Sequence, residues 1–314
     1  MKSAQVGLGI TAANFLTSCV RTQKSEKKAI LMDSSDLFFK ISLAQWSLHR
    51  SIQAGDMTTL DFAKKSREFG CEGLEYVTAF FKNEANNTNF LNQLNNLAEN
   101  EGQKNLLLMI DGEGDLAIND SRKRFQSIEN HYKWVDAAQK LNCHSIRVNL
   151  SGGKNLEEAK KNAIDSLMQL SNYAKGSNVN ILVENHNGMS SNGKWMESIF
   201  NQITNSNCGT LPDFGNWCIK RKDGEKWGEC EEEYADKYKG IELLMPMAKA
   251  VSAKSYAFDE NGNETTLDYP RILQIVKDAG YTGHIGVEFE GGLPEEAGIL
   301  ATKDLLVSAS KTLN

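Results

Sequence analysis

Three acidic residues each close an apolar run: Glu184 after Ile181-Leu182-Val183, Asp213 after Leu211-Pro212, and Glu288 after Ile285-Gly286-Val287. Any one of them alone could cap the next helix or pair with a local arginine. All three at equivalent positions point to chemistry. Carboxylates gathered in one place repel, and at least one must take up a proton unless a cation joins them. A divalent metal relieves the repulsion by accepting carboxylate oxygens directly.

Other polar residues end similar runs. Trp46 and His49 follow the first, Glu75 lies on the second, Asp111 follows the third, and Arg147 and Asn149 end the fourth. Asn185 and His186 come directly after Glu184, Asn216 follows Asp213 by three, Ser252 and Lys254 share the seventh run, and Glu290 lies beyond Glu288. Arg147 and Lys254 can grip an oxyanion or sugar hydroxyls. His186 stands two residues beyond Glu184, on the same face of a strand, and is a candidate substrate contact or ligand. Glu75 and Asn216 are further candidates for binding substrate. Trp46, Trp217 and Trp227 could stack on a sugar or simply pack, and His284, which opens its run, reads as structural.

The elements that must position these residues recur regularly. Runs of β type begin near Ile41, Gly73, Asn105, Cys143, Ile181, Cys208, Ala250 and Gly283, spaced 27 to 42 residues apart. Each gap holds a segment of helical period, such as Leu60 to Phe69, Phe125 to Leu141, Leu156 to Ala174 and Tyr269 to Ala279. Glycines at Gly70 and Gly280 are placed to close helices in the left-handed conformation. Eight β-then-α units imply parallel strands joined by right-handed crossovers, and at this length a (β/α)8 TIM barrel, read as one domain over 38–314. The polar residues above would then meet at the carboxyl ends of the strands, where barrel sites are built. Longer segments, Gly112 to Asp120 and Cys218 to Glu233, follow strand ends.

Composition narrows the function. The chain of 314 residues carries 35 basic and 41 acidic residues, a net charge of −6 that does not suit a nucleic-acid surface. Its apolar runs fall short of the roughly 20 residues that span a bilayer. At the start, Lys2 precedes an apolar stretch from Val6 to Leu16, and Leu16-Thr17-Ser18-Cys19 resembles a bacterial lipobox. Residues 1–19 are therefore expected to be a lipoprotein signal peptide with Cys19 lipidated, and 20–37 a flexible tether. The expected location is extracytoplasmic, on the periplasmic side of a bacterial membrane, with membrane contact only through that lipid. Cys71, Cys143 and Cys208 read as buried small hydrophobes. A Cys218–Cys230 bridge is conceivable in an oxidising compartment.

The runs Leu182-Val183-Glu184-Asn185-His186, Leu211-Pro212-Asp213-Phe214-Gly215-Asn216-Trp217 and Gly280 to Gly291 resemble the xylose-isomerase-like TIM-barrel superfamily, its sugar phosphate isomerase/epimerase members above all. The resemblance implies a divalent metal held from strands five to eight, here by Glu184, Asp213 and Glu288. It also implies that Glu184 and Glu288 act as proton acceptor and donor on opposite faces of a sugar. One position departs: where the family's seventh strand presents His-x-Lys, this chain has Ser252-Ala253-Lys254. Either the metal stays on three carboxylates, favouring Mn2+ or Mg2+ over Zn2+, or there is no metal and Lys254 supplies the positive charge. Asn216 likewise replaces a substrate-binding histidine. The superfamily's endonuclease branch is disfavoured by the missing histidine-rich metal set and by the charge.

The reading that follows is a sugar isomerase or epimerase working by proton transfer beside a carbonyl. An extracytoplasmic address favours a non-phosphorylated sugar or glycoside. A keto-glycoside lyase or hydrolase shares the first step, and a non-catalytic sugar-binding barrel is the third alternative. Homo-oligomerisation is left open.

Overall fold

Strands filled by their own side chains on one face and covered by helices on the other are apolar throughout, and the central runs here are buried on both faces. A computed structural model describes Met1 and residues 37–153, 155–224 and 228–313. The signal-type segment with Cys19, the tether up to residue 36, and Trp227 lie outside the described residues.

In chain order the strands are β1 Lys40–Ala44, β2 Gly73–Val77, β3 Lys104–Met109, β4 Ser145–Val148, β5 Asn180–Glu184, β6 Cys208–Leu211, β7 Cys218–Arg221, β8 Cys230–Glu233, β9 Val251–Ser255 and β10 His284–Phe289. All but β7 and β8 form one parallel sheet in the order β6-β5-β4-β3-β2-β1-β10-β9. Its two edges meet through single parallel bridges, Thr210 with Ala248 and Asp213 with Ser252, which close the sheet into a barrel. Each of these eight strands starts within two residues of the position expected from sequence.

The helices between them begin at side-chain caps. Asp120 caps Ser121–Lys140, Asn155 caps Leu156–Tyr173 and Asp268 caps Tyr269–Asp278, each accepting from the otherwise orphaned first-turn N–H groups. Gly70 and Gly280 take positive φ, +70° and +72°, at the helix ends where glycine was expected. A separate apolar cluster that includes Ala44, Val77, Leu107, Met109, Leu182 and Leu211 fills part of the barrel interior, and Trp46 and Phe80 pack against it.

The segment after β6 contains what the sequence left unread: β7 and β8 form an antiparallel hairpin, joined by a Cys218–Cys230 disulfide. Cys71, Cys143 and Cys208 are free and buried, as expected. Trp217 is packed rather than presented. Its indole donates to the Phe214 carbonyl, and its ring lies so close to Gly240 that a Cβ there would be 2.4 Å away.

Candidate active site

The ends of β5 and β10 and the turn after β6 deliver the three carboxyls to one place. Glu184, Asp213 and Glu288 are all buried, and one oxygen of each lies within 4.8 Å of the others. Alternation explains why: Glu184 and Glu288 point inward from strands whose intervening residues point out to the helices.

Each carboxyl is held by neighbours. Glu184 has Arg147 Nε at 2.9 Å as an ion pair that lacks hydrogen-bond alignment, and it accepts from Asn216 Nδ2 at 3.0 Å. Asp213 Oδ1 accepts the backbone N–H groups of Gly215 and Asn216, both at 2.8 Å. Glu288 Oε1 accepts from Lys254 Nζ at 2.7 Å, and the same ammonium reaches Glu290 at 3.0 Å. The Ser252 hydroxyl lies 2.8 Å from Asp213 Oδ2 and 2.9 Å from Glu288 Oε2. A hydroxyl has one proton to donate, so both contacts are satisfied together only when one of the two carboxyls is protonated and donates back.

The electrostatics agree with a shared proton. Burial, reinforced by Glu288 and opposed by Arg147, lifts the Glu184 carboxyl to about 7. Burial likewise raises Asp213, with Lys254 pulling the other way and Glu184 adding to the rise. Burial would discharge the Lys254 ammonium, but Glu288, Glu290 and Asp213 outweigh it and hold the group well above the ordinary lysine range. Arg147 also pairs with Asp111 at 3.0 Å, and Asn149 Nδ2 donates to the same Asp111 oxygen. More carboxyls thus converge here than the two cations neutralise, leaving negative charge for a further proton or cation.

That imbalance is the test for a metal. Three buried carboxyl oxygens within 4.8 Å form a hard donor set of the kind Mg2+, Mn2+ and Ca2+ accept, and the residues fit such an ion. Ser252 adds only a weak neutral oxygen where an imidazole would favour zinc.

Other expected contacts are arranged differently. His186 Nδ1 lies 3.0 Å from Asn149 Oδ1, and burial together with Arg147 pushes the imidazole down to about 4, so it is neutral at ordinary pH. Asn216 is drawn in, bonded to Glu184 and backbone-bonded to Asp213. Glu75 lies deeper than a mouth residue. It hydrogen-bonds Ser42 at 2.5 Å and fills the space left by Gly286, one inward-facing position before Glu288. Trp46 stands at the rim, stacked on His49 and Phe80, and is among the groups that hold the Glu290 carboxyl below its ordinary range, Lys254 chief among them. His284 lies at the opposite end of β10 from the carboxyls, consistent with a structural place.

Two residues that the sequence placed at strand ends, without assigning them a role, contribute to the site. Asn185, fully buried, ties Asp213 to the end of β5. Asp111 pairs with Arg147 from across the mouth. Both lie within two residues of a strand end, and that position was the available signal.

The sequence model of a family described as xylose isomerase-like TIM barrel matches residues 63–308. Among curated proteins, the alpha subunit of a C-glycoside deglycosidase from Arthrobacter globiformis is 46% identical over 48 residues, 15% of this chain and 14% of that subunit's length. Among solved structures, a 3-keto-D-glucoside 4-epimerase from E. coli superposes with a TM-score of 0.62 at 14% identity, over 87% of this chain and 99% of that one. A zinc-bound IolI protein does so with a TM-score of 0.68 at 14% identity, over 88% and 99%.

Proposed function

The chain belongs to the xylose isomerase-like TIM-barrel family, and from that premise we propose that it is a carbohydrate-active enzyme, isomerase or epimerase in type, that moves a proton on a carbon beside a carbonyl. The observation that carries this reading is the pairing of Glu184 and Glu288 at one mouth, each beside its own cation.

Glu288, held by Lys254 and Ser252, accepts the proton from the carbon acid. The electron pair moves to the carbonyl oxygen, where Lys254 and Arg147 supply positive charge as it develops. Glu184, with its carboxyl near 7, is half protonated at neutral pH and delivers a proton on the other side of the carbon. Asp213 is fixed by backbone N–H groups and Ser252, and anchors the arrangement. A divalent cation on Glu184, Asp213 and Glu288, Mn2+ or Mg2+ before Zn2+, would add Lewis-acid polarisation of the carbonyl. The substrate is a non-phosphorylated sugar or glycoside, met on the extracytoplasmic side by a protein tethered through Cys19. That address rests on the sequence of the first nineteen residues.

The match to a deglycosidase subunit favours a second outcome of the same first step. On a keto-glycoside, the electron pair of the C–H bond that Glu288 breaks, held on the oxygen as an enolate, returns to form the carbon–carbon double bond and expel the aglycone from the next carbon, and Glu184 protonates the leaving atom.

The experiment is to incubate the enzyme with free ketoses and with 3-keto-β-D-glucosides in D2O. Deuterium enters the carbon beside the carbonyl and is lost from the products of Glu288→Gln. A product of unchanged mass, apart from deuterium, identifies epimerisation, and a released aglycone identifies elimination. Sugar binding retained by Glu288→Gln, with no exchange by the unaltered protein on any carbonyl sugar, would overturn the reading in favour of a binding protein.

A further inference from the structure

Strand β9 turns a ladder of polar side chains into the barrel. Ser252 and Lys254 both reach the carboxyl cluster, and alternation makes Tyr256 the next inward position, one rung closer to the mouth. Its ring lies where that spacing puts it. A Cβ added at Gly215, in the turn that carries Asp213, would come within 2.8 Å of Lys254 Cγ, 2.8 Å of Tyr256 Cε2 and 2.9 Å of Tyr256 Oη. The phenol and the lysine stem thus share the space over a glycine that has no side chain to fill it.

The backbone beneath the phenol is fixed from both sides. The N–H groups of Tyr256 and Ala257 donate to the buried Glu264 carboxylate at 3.3 and 3.2 Å. The Tyr256 carbonyl approaches Gly291 so closely that a Cβ there would be 1.6 Å from its oxygen. Tyr256 is only partly buried, and its hydroxyl makes no hydrogen bond among the described residues. Burial raises the phenol above the ordinary tyrosine range, Lys254 opposes the rise, and Asp213, Glu290 and Glu288 add to it. The group is therefore an unengaged O–H donor beside the carboxyl cluster.

Lys254, by contrast, is largely engaged. Its ammonium donates to Glu288 at 2.7 Å and to Glu290 at 3.0 Å, which leaves a single N–H for a substrate. It brings charge to a developing oxyanion but few hydrogen bonds, and the next rung of the same strand carries the donor that is missing.

We propose that Tyr256 is a further catalytic residue whose hydroxyl donates to the substrate carbonyl oxygen as negative charge develops there, an assignment that rests on the proton-transfer reading of Glu184 and Glu288. A neutral donor and a cation already side by side stabilise an enolate oxygen without having to be drawn together during the reaction. The phenol keeps its proton throughout. The carbon-bound proton goes to Glu288, and the electron pair it leaves behind settles on the carbonyl oxygen, which accepts from Tyr256 Oη–H and faces the Lys254 ammonium.

Tyr256→Phe keeps the ring over Gly215 and removes only the hydroxyl, so the melting temperature should be unchanged. With methyl 3-keto-β-D-glucoside as the probe, kcat for deuterium exchange in D2O should fall by at least about tenfold with little change in KM, because the hydrogen bond strengthens as charge appears. A second readout needs no turnover. The probe, labelled with 13C at its carbonyl, is bound to Glu288→Gln, and its C=O stretch should move to higher wavenumber when Tyr256→Phe is added. An unmoved band overturns the proposal, and deuterium exchange that still depends on Glu288 then leaves the acid/base reading standing. A band that shifts with Tyr256→Phe, in a protein that exchanges no proton on any carbonyl sugar, upholds the hydrogen bond to the carbonyl and removes the acid/base reading instead. A protein that binds neither this probe nor a free ketose overturns both.

Discussion

The Asn185 carboxamide holds both backbone polar groups of Asp213: Nδ2 donates to the Asp213 carbonyl at 2.9 Å, and Oδ1 accepts the Asp213 N–H at 2.7 Å. The strand ladder between β5 and β6 has ended there, and the side chain continues it. In this way the residue after Glu184 fixes the position of Asp213, although its own side chain points away from the mouth.

Asn185→Leu should therefore act through Asp213. It leaves two buried backbone groups unpaired, which costs about 1–3 kcal/mol for each group. Denaturant unfolding should show a loss of that size, and kcat should fall at least tenfold with a smaller change in KM. Asn185→Asp keeps an acceptor for the N–H and should recover part of both. Equal kcat in all three proteins would remove the positioning role.

Glu75 offers a stability test away from the reacting groups. Burial, opposed by the Ser42 hydrogen bond and reinforced by Glu288 and Glu184, lifts its carboxyl to about 8 from an ordinary 4.5. Between those values the folded form keeps the proton that the unfolded form has lost, so stability falls as pH rises, at up to about 1.4 kcal/mol per unit. Glu75→Gln has no proton to lose. Its melting temperature should match that of the unaltered protein near pH 4.5 and exceed it increasingly up to pH 8. Parallel curves would show that Glu75 is not buried as a neutral acid.

Much of this was legible in sequence because a barrel repeats. Period and glycine placement located all eight barrel strands, and the closing acids Glu184, Asp213 and Glu288 followed from where strands end. The hairpin was not legible. β8 is the run Cys-Glu-Glu-Glu, which carries no apolar alternation and is held as a strand by its partner and the disulfide. The depth of Glu75 was equally hidden, because an inward-facing carboxyl looks the same one position lower, and only the missing side chain of Gly286 makes room for it.

Glu184 links proton and metal directly. In chelator-treated protein its carboxyl should titrate near 7 by carbon NMR. Adding Mg2+ should shift that titration to lower pH, since a nearby cation favours the ionised form. Arg147→Met should shift it upward, because Arg147 is the chief group opposing burial there. A titration unmoved by saturating Mg2+ or Mn2+ would argue that Lys254 and Arg147 supply all the positive charge.

Ser252 decides which metal the cluster prefers. Its hydroxyl contacts Asp213 and Glu288 from the strand that lies between them, so a ligating side chain there would join the carboxyl oxygens directly. Serine offers a weak oxygen, whereas an imidazole would turn an all-oxygen set into the mixed nitrogen and oxygen set that zinc binds well. Ser252→His should therefore raise affinity for Zn2+ relative to Mg2+ by at least tenfold in competition titrations. Because Ser252 is fully buried, the larger ring should also cost about 1–3 kcal/mol of stability before metal is added. Zinc should then restore the melting temperature of the variant more than that of the unaltered protein. A folded variant whose Zn2+ to Mg2+ preference is unchanged would show that the three carboxyls do not converge on one ion, and the positive charge at this mouth would then be that of Lys254 and Arg147.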